Sequence, residues 1–360
     1  MKKISSFEII TMIAVVLLVT ACAPQTGTPA GTDASPQPPK LTVMTHDSFS
    51  VSEALVTEFE QANGVSLVFL PSGDTGAALN RAILSKNAPL ADVFYGVDNT
   101  FLSRALQEDL FEPYDSPLLA TIPDEFKLDP GNRALPVDYG DVCINYDKAY
   151  FAEKGLPLPE SLEDLTDPLY RGLLVVENPA TSSPGLAFLL ATIDHFGEDG
   201  YLTFWEQMRE NGVVVVNDWE TAYYTNFSGS SGHGPQPMVV SYGSSPPAEV
   251  IYAETPLDDA PTASIVAPGT CFRQVEFVGV LTGSQQRALA EKFVDFMLSV
   301  PFQEDMPLQM FVFPVQPEAK LPEAFEKYAQ IPDQPATIDP QTIAENRQAW
   351  IEAWTETVLR

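Results

Sequence analysis

Short apolar, β-branched runs alternate with amphipathic stretches along most of this chain. Residues 41–45, 65–70 and 91–96 read as strands, each bounded by turn residues. Between the first two runs, a segment that Ser50 or Ser52 can cap continues through Phe59 and Glu60. After the turn Pro71-Ser72-Gly73-Asp74-Thr75-Gly76, a second segment carries Leu79, Ile83 and Leu84 on one helical face. This strand–helix alternation predicts a parallel sheet with covering helices. At Leu135-Pro136-Val137-Asp138-Tyr139-Gly140 the pattern changes to an extended strand without a helix after it, which reads as a crossing between two lobes. A second α/β block follows, with strands at 172–177, 213–216 and 238–242 and helices at 185–193 and around 204–208. Residues 271–281 read as a crossing back to the first lobe, and two amphipathic helices, near 288–298 and 343–358, close the chain.

The run Val213-Val214-Val215-Val216 leads straight into Asn217-Asp218-Trp219-Glu220. Four valines predict a fully buried strand, and Asn217 or Asp218 predicts a helix N-cap immediately after it. In open α/β sheets, ligands bind where strands end and helices begin. Here that place carries Trp219 between two carboxylates, with Tyr223 and Tyr224 one turn on, and an aromatic face among carboxylates suits an organic cation. A core or capping role for Trp219 is the competing reading of this segment alone.

The N-terminus narrows the setting. Lys2 and Lys3 precede a short apolar run that ends in Val19-Thr20-Ala21-Cys22, the order of a secretory signal peptide. The Cys after small residues resembles a bacterial lipobox, so residues 1–21 are expected to be removed and Cys22 to carry lipid. Residues 22–40, rich in Pro, Gly, Thr and Ser, form a flexible linker. The remaining length of about 320 residues suits two lobes. Acidic residues outnumber basic ones, 49 to 19, for a net charge of −30. That surface argues against nucleic acid and against anionic membranes, and it favours a cationic ligand only mildly. Beyond Cys22 the chain has Cys143 and Cys271, which are expected to pair in an oxidising exterior; with the scattered His46, His195 and His233 they form no metal-ligand pattern.

Several motifs occur together in order. They are Thr45-His46-Asp47-Ser48-Phe49, Ala91-Asp92-Val93-Phe94-Tyr95-Gly96-Val97-Asp98-Asn99, Pro136-Val137-Asp138-Tyr139-Gly140, Thr181-Ser182-Ser183-Pro184-Gly185-Leu186 and Trp219-Glu220-Thr221-Ala222-Tyr223, with the tail Arg347-Gln348-Ala349-Trp350-Ile351-Glu352-Ala353-Trp354. Together they resemble the thiamine-binding solute receptors of bacterial ABC importers, from Leu41 to the C-terminus. The resemblance implies an α/β, two-lobed, type II periplasmic-binding-protein-like fold. Its lobes would be 41–137 with 275–315, and 138–274, with 316–360 packing on both. It implies thiamine or its phosphates as ligand, no cofactor and no catalysis. It also implies a monomer that hands its ligand to a membrane permease with an ATPase subunit and touches the membrane only through its lipid. By resemblance, Trp219 stacks on the ligand, with Tyr223 beside it, and Tyr242 is a second aromatic wall. Asp74 and Thr75 lie near a phosphate end, together with Ser182 and Ser183 at a helix N-terminus, which suits phosphate. This chain has His46 where the family often has Tyr, and Phe311 where it often has Trp. Asp47, Asp98 or Asp138 would accept from the aminopyrimidine or balance the thiazolium charge, and the sequence does not choose among them.

Two other readings stay open at this level. Tyr223-Tyr224 supplies adjacent phenolic oxygens of the kind iron(III) receptors of the same broad fold use. Cys143, just after Asp138-Tyr139-Gly140, stands where a thiaminase I-like enzyme would need a nucleophile, unless it is tied to Cys271.

Overall fold

Eleven strands join in a single sheet in a computed structural model, which describes residues 38–360. The expected signal peptide and Cys22 lie outside the described residues. The strands are β1 (Lys40–Thr45), β2 (Ser66–Pro71), β3 (Val93–Asp98), β4 (Phe111–Glu112), β5 (Leu135–Asp147), β6 (Leu174–Glu177), β7 (Val214–Val216), β8 (Met238–Tyr242), β9 (Thr262–Ile265), β10 (Phe272–Leu281) and β11 (Phe313–Pro314). Their main order is β2-β1-β3-β10-β5-β8-β6-β7. At one side, β1 runs parallel to β2 and β3; at the other, β6 runs parallel to β7 and β8. Each parallel set is one lobe, as the strand–helix alternation requires.

The two lobes share the long antiparallel pair β5 and β10. Strand β10 pairs with β3 from Glu276 to Val280 and with β5 from Phe272 to Val278. Strand β5 continues past β10 to pair with β8 from Val142 to Tyr146. The register of β10 slips at Glu276/Phe277 against β5 and at Phe277/Val278 against β3. Such irregularities bend a strand and re-aim the side chains beside them.

Hydrophobic burial fixes the rest of the second lobe. Leu186, Ala187, Phe188, Leu189, Leu190 and Ala191 are all fully buried, so the helix Ser183–Glu210 is apolar all round at its start. Gly197, at φ 70° and ψ 171°, breaks this helix into the two segments read from the sequence. The C-terminal helix Pro340–Leu359 lies against it, with Trp354 edge-on to Trp205 at 5.5 Å, and also touches the first-lobe helix Leu102–Gln107.

The valine run departs from expectation. Val213, Val214, Val215 and Val216 are half-buried, not fully buried, because β7 is the outermost strand of the sheet. Fully buried apolar positions lie further in, as at Met238, Val239 and Val240 of β8, between β5 and β6.

Cys143 on β5 and Cys271, one residue before β10, are joined by a disulfide 128 residues apart in sequence. It pins the two crossing strands together next to the Phe272–Val142 pair. Replacing both with alanine should lower unfolding free energy by about 2–5 kcal/mol, read as a lower urea midpoint. An unchanged midpoint would show that strand pairing alone holds the crossing.

Candidate functional site

The cleft between the lobes, about 1000 Å³ including its mouth, is built from strand ends and the turns that follow them. Past β1, His46 lies buried under Gly96 of β3. A β-carbon at Gly96 would sit 2.4 Å from the imidazole, and its φ of +105° also demands glycine. The ring faces Tyr95 at 5.6 Å, its Nδ1 is 3.0 Å from Ser48 Oγ, and its Nε2 is 3.7 Å from Glu276 Oε1. Burial pushes the His46 pKa down, against the pull of Asp74, Asp47 and Glu220, which favours the neutral imidazole.

Past β2, Asp74 caps the helix Thr75–Leu84 by accepting from the Thr75 amide at 2.7 Å. Its other oxygen reaches across the cleft and accepts from the Trp219 amide at 3.1 Å. Burial raises the Asp74 pKa against these hydrogen bonds. The lobes also meet where Gly76 faces the loop after β6, since a β-carbon there would lie 2.9 Å from the carbonyl oxygens of Ala180 and Thr181. At the mouth, Tyr252 donates to the Leu308 carbonyl at 3.0 Å and meets Phe311 edge-on at 5.5 Å. Phe311 adopts φ 55°, a strained conformation for a bulky residue, and lines the cleft.

The aromatic wall is held by contacts within the protein itself. After β7, Asp218 accepts from the Thr221 amide at 2.7 Å, and the expected helix takes the form of a short π-helical turn, Thr221–Asn226. This turn stacks Tyr223 on Trp219 at 4.9 Å and sets Tyr224 edge-on to the indole at 5.5 Å. The indole N–H donates to Ser241 Oγ at 2.9 Å, which fixes the ring. Tyr242, at the end of β8, stands on the cleft floor.

Of the residues singled out from sequence, His46, Asp74, Thr75, Ser183, Trp219, Tyr223, Tyr242 and Phe311 line the cleft. The other four do not. Asp47 is exposed and accepts from the Gly73 amide at 2.8 Å. Asp98 is buried beneath the cleft, accepting from Thr100 and, at 2.9 Å, from Gln274. Ser182 is fully buried, with an unpartnered hydroxyl. Asp138 lies under the floor, where Tyr95 approaches it at 2.7 Å.

Glu220, one of the carboxylates read beside Trp219 in the sequence, also lines the cleft, whereas Glu276, a buried carboxylate in the lining, and Tyr252 at the mouth were not singled out. The available signal for Glu276 was its position in Val275-Glu276-Phe277, a charge inside an otherwise apolar crossing strand. The lining contains Asp74, Glu220 and Glu276 and no lysine or arginine. Around it, burial also raises Asp138, Glu276 and Glu177, and it pushes Asp98 up to about 6. With three acids and no lysine or arginine in its lining, the cleft is acidic, aromatic-walled and suited to a flat cation, which would favour the charged form of those acids.

Comparison with known proteins agrees with this architecture. Residues 88–336 match the family model of bacterial extracellular solute-binding proteins. The chain belongs to that family. This solute-binding protein is 32% identical over 330 residues to the thiamine-binding periplasmic protein of Salmonella typhimurium, covering 89% of this chain and 94% of the relative. A solved periplasmic thiamin binding protein superposes with a TM-score of 0.78 at 28% identity, covering 91% of this chain and 98% of the other. Iron-bound HitA from Pseudomonas aeruginosa shares the fold, with a TM-score of 0.69 at 19% identity over 88% of this chain and 99% of its own.

The iron and thiol readings both meet physical obstacles. Tyr223 is buried and donates to Glu249 at 3.0 Å, so its phenolic proton is already committed within the protein. Cys143, bonded to Cys271, has no thiolate to offer.

Two outcomes follow from this geometry. Gly76→Ala should prop the lobes apart, weakening ligand binding at least about tenfold while leaving the unfolding free energy within about 1 kcal/mol; small-angle scattering should show a larger radius of gyration, and an unchanged radius with unchanged affinity would place the lobe contact elsewhere. The second concerns pH. A carboxyl whose pKa is higher folded than unfolded binds more protons when folded, so its contribution to stability falls as pH rises through that window. For Asp98 the window runs from 3.8 to about 6. The unliganded protein should melt at a higher temperature at pH 5.5 than at pH 8, and the opposite order would contradict the assigned burial.

Proposed function

We propose that this solute-binding protein is the receptor of an ABC importer and that it binds thiamine between its lobes. The observation that carries the reading is the pre-set Trp219–Tyr223 stack facing a cleft with three carboxylates and no cationic side chain. Thiamine joins a flat aminopyrimidine to a permanently cationic thiazolium, and both rings suit such walls. The names carried by the relatives point to the same ligand. Trp219, Tyr242 and Phe311 would enclose the rings, with Tyr223 backing the indole and His46 and Asp74 bounding the floor.

The charge of the lining also orders the candidate ligands. Thr75 and Ser183 line the cleft, but the Thr75 hydroxyl donates to the Gly96 carbonyl at 3.0 Å and the Asp74 carboxylate already occupies the Thr75 amide, an anion-binding position at a helix N-terminus. A phosphate would enter this site against Asp74 and Glu220 with no lysine or arginine to receive it. Free thiamine is therefore the preferred ligand over its mono- and diphosphate.

In this reading Cys22 carries a lipid that holds the protein outside the cytoplasmic membrane, residues 22–40 are the tether, and a monomer delivers thiamine to a permease and its ATPase. Residues 41–137 with 275–315 form one lobe, 138–274 the other, and 316–360 brace both. The role is binding, without catalysis or cofactor. Among the described residues no helix is long and apolar enough to cross a membrane.

Calorimetric titration should give micromolar or tighter binding of thiamine and weaker binding of both phosphates. Trp219→Ala should cost about 2 kcal/mol or more of binding with the fold intact. No thiamine binding at micromolar concentration would refute the receptor reading. A visible charge-transfer band on adding ferric ion would favour iron instead.

A further inference from the structure

The floor of the cleft has a hydrogen-bond count that does not close without an extra proton. Asp138 on β5 and Glu276 on β10 are direct register partners. The Tyr95 hydroxyl lies 2.7 Å from Asp138 Oδ2 and 2.9 Å from Glu276 Oε2. A phenol has one proton and can donate to one carboxylate only. The second contact is a hydrogen bond only if that carboxyl is itself protonated and donates to the phenol oxygen. Both carboxyls and the phenol are buried, so two adjacent carboxylates without a proton would be doubly costly.

The groups facing Glu276 supply no fixed positive charge. They are Tyr95 and Asp98 on β3, His46 after β1, Asp138 on β5 and Tyr242 on β8. Arg273, three residues away on the same strand, is committed to Asp141 through two contacts of 2.9 Å. Glu276 alone of the carboxyl pair reaches the cleft.

We propose that Glu276 is the counter-charge for the ligand's cation, and that the cation replaces a proton held among Asp138, Tyr95 and Glu276, so that binding releases that proton to solvent. This rests on the thiamine reading above. The balance is simple: a neutral carboxyl–carboxylate pair becomes two carboxylates, one positive charge enters with the ligand, and one proton leaves to the buffer. Closure and specificity are thereby linked, because the charged pair sits on the two strands that the lobes share. A neutral ring of similar shape relieves nothing there and is selected against.

Calorimetry of the full chain with thiamine at pH 7, in phosphate and in Tris, tests this directly. Release of close to one proton should make the two enthalpies differ by nearly the full difference between the ionisation enthalpies of the two buffers. Where the pair holds its proton, affinity should rise about tenfold per pH unit. Glu276→Gln should lose the buffer dependence and bind about ten- to hundredfold more weakly. Asp138→Asn, which keeps Glu276, should also lose most of the proton release, and it decides the matter if Glu276→Gln does not fold. Equal enthalpies in both buffers, or proton release retained in either variant, would overturn the proposal while leaving thiamine binding intact; absence of any binding would instead refute the receptor reading.

Discussion

The antiparallel pairing of β5 with β10 is the constraint on which the rest depends. Strand β10 pairs with β3 of one parallel set and β5 with β8 of the other, so together they are at once the connection between lobes and the floor of the cleft. The disulfide at one end holds them together, and Glu276, beside a register shift, lines the cleft from β10. A buried acidic pair is a costly thing to place in the middle of a sheet, since desolvation penalises each charge and their proximity penalises both. That cost is concentrated where a cationic ligand can offset it.

The second determinant is preorganisation. Trp219 has one partner stacked on it, one aromatic edge against it and a hydrogen bond on its indole nitrogen. Little side-chain freedom remains to be lost when a ring arrives, which is how an aromatic wall contributes affinity efficiently. Closure uses backbone groups: the Trp219 amide on Asp74, the Ala180 and Thr181 carbonyls against Gly76, and the Leu308 carbonyl under Tyr252. These contacts connect the lobes without filling the cleft, and hinge-type motion about β5 and β10 would make and break them together.

Much of this was legible in the residues. The strand–helix alternation, the two crossings and the cleft-facing position of Trp219 follow from periodicity and from where strands end in α/β sheets. What escaped was long-range. Four valines look equally apolar at a sheet edge and at its centre, and only the strand order separates β7 from β8. Asp98, Asp138 and Glu276 are each a single acid in an apolar strand; which one reaches the cleft depends on how β3, β10 and β5 lie side by side, and no local pattern encodes that. The π-helical turn that stacks Tyr223 under Trp219 was likewise invisible to a helical-periodicity reading.

The central claim is that a cation is held between the Trp219 wall and the Glu276 floor of a closed cleft. A crystal structure of the thiamine complex tests it most directly. The account predicts a ring of the ligand stacked within about 6 Å of the Trp219 indole, with the thiazolium turned toward Glu276. Thiamine bound outside the cleft, or seated in it with the thiazolium directed away from Glu276 and Trp219, would contradict it.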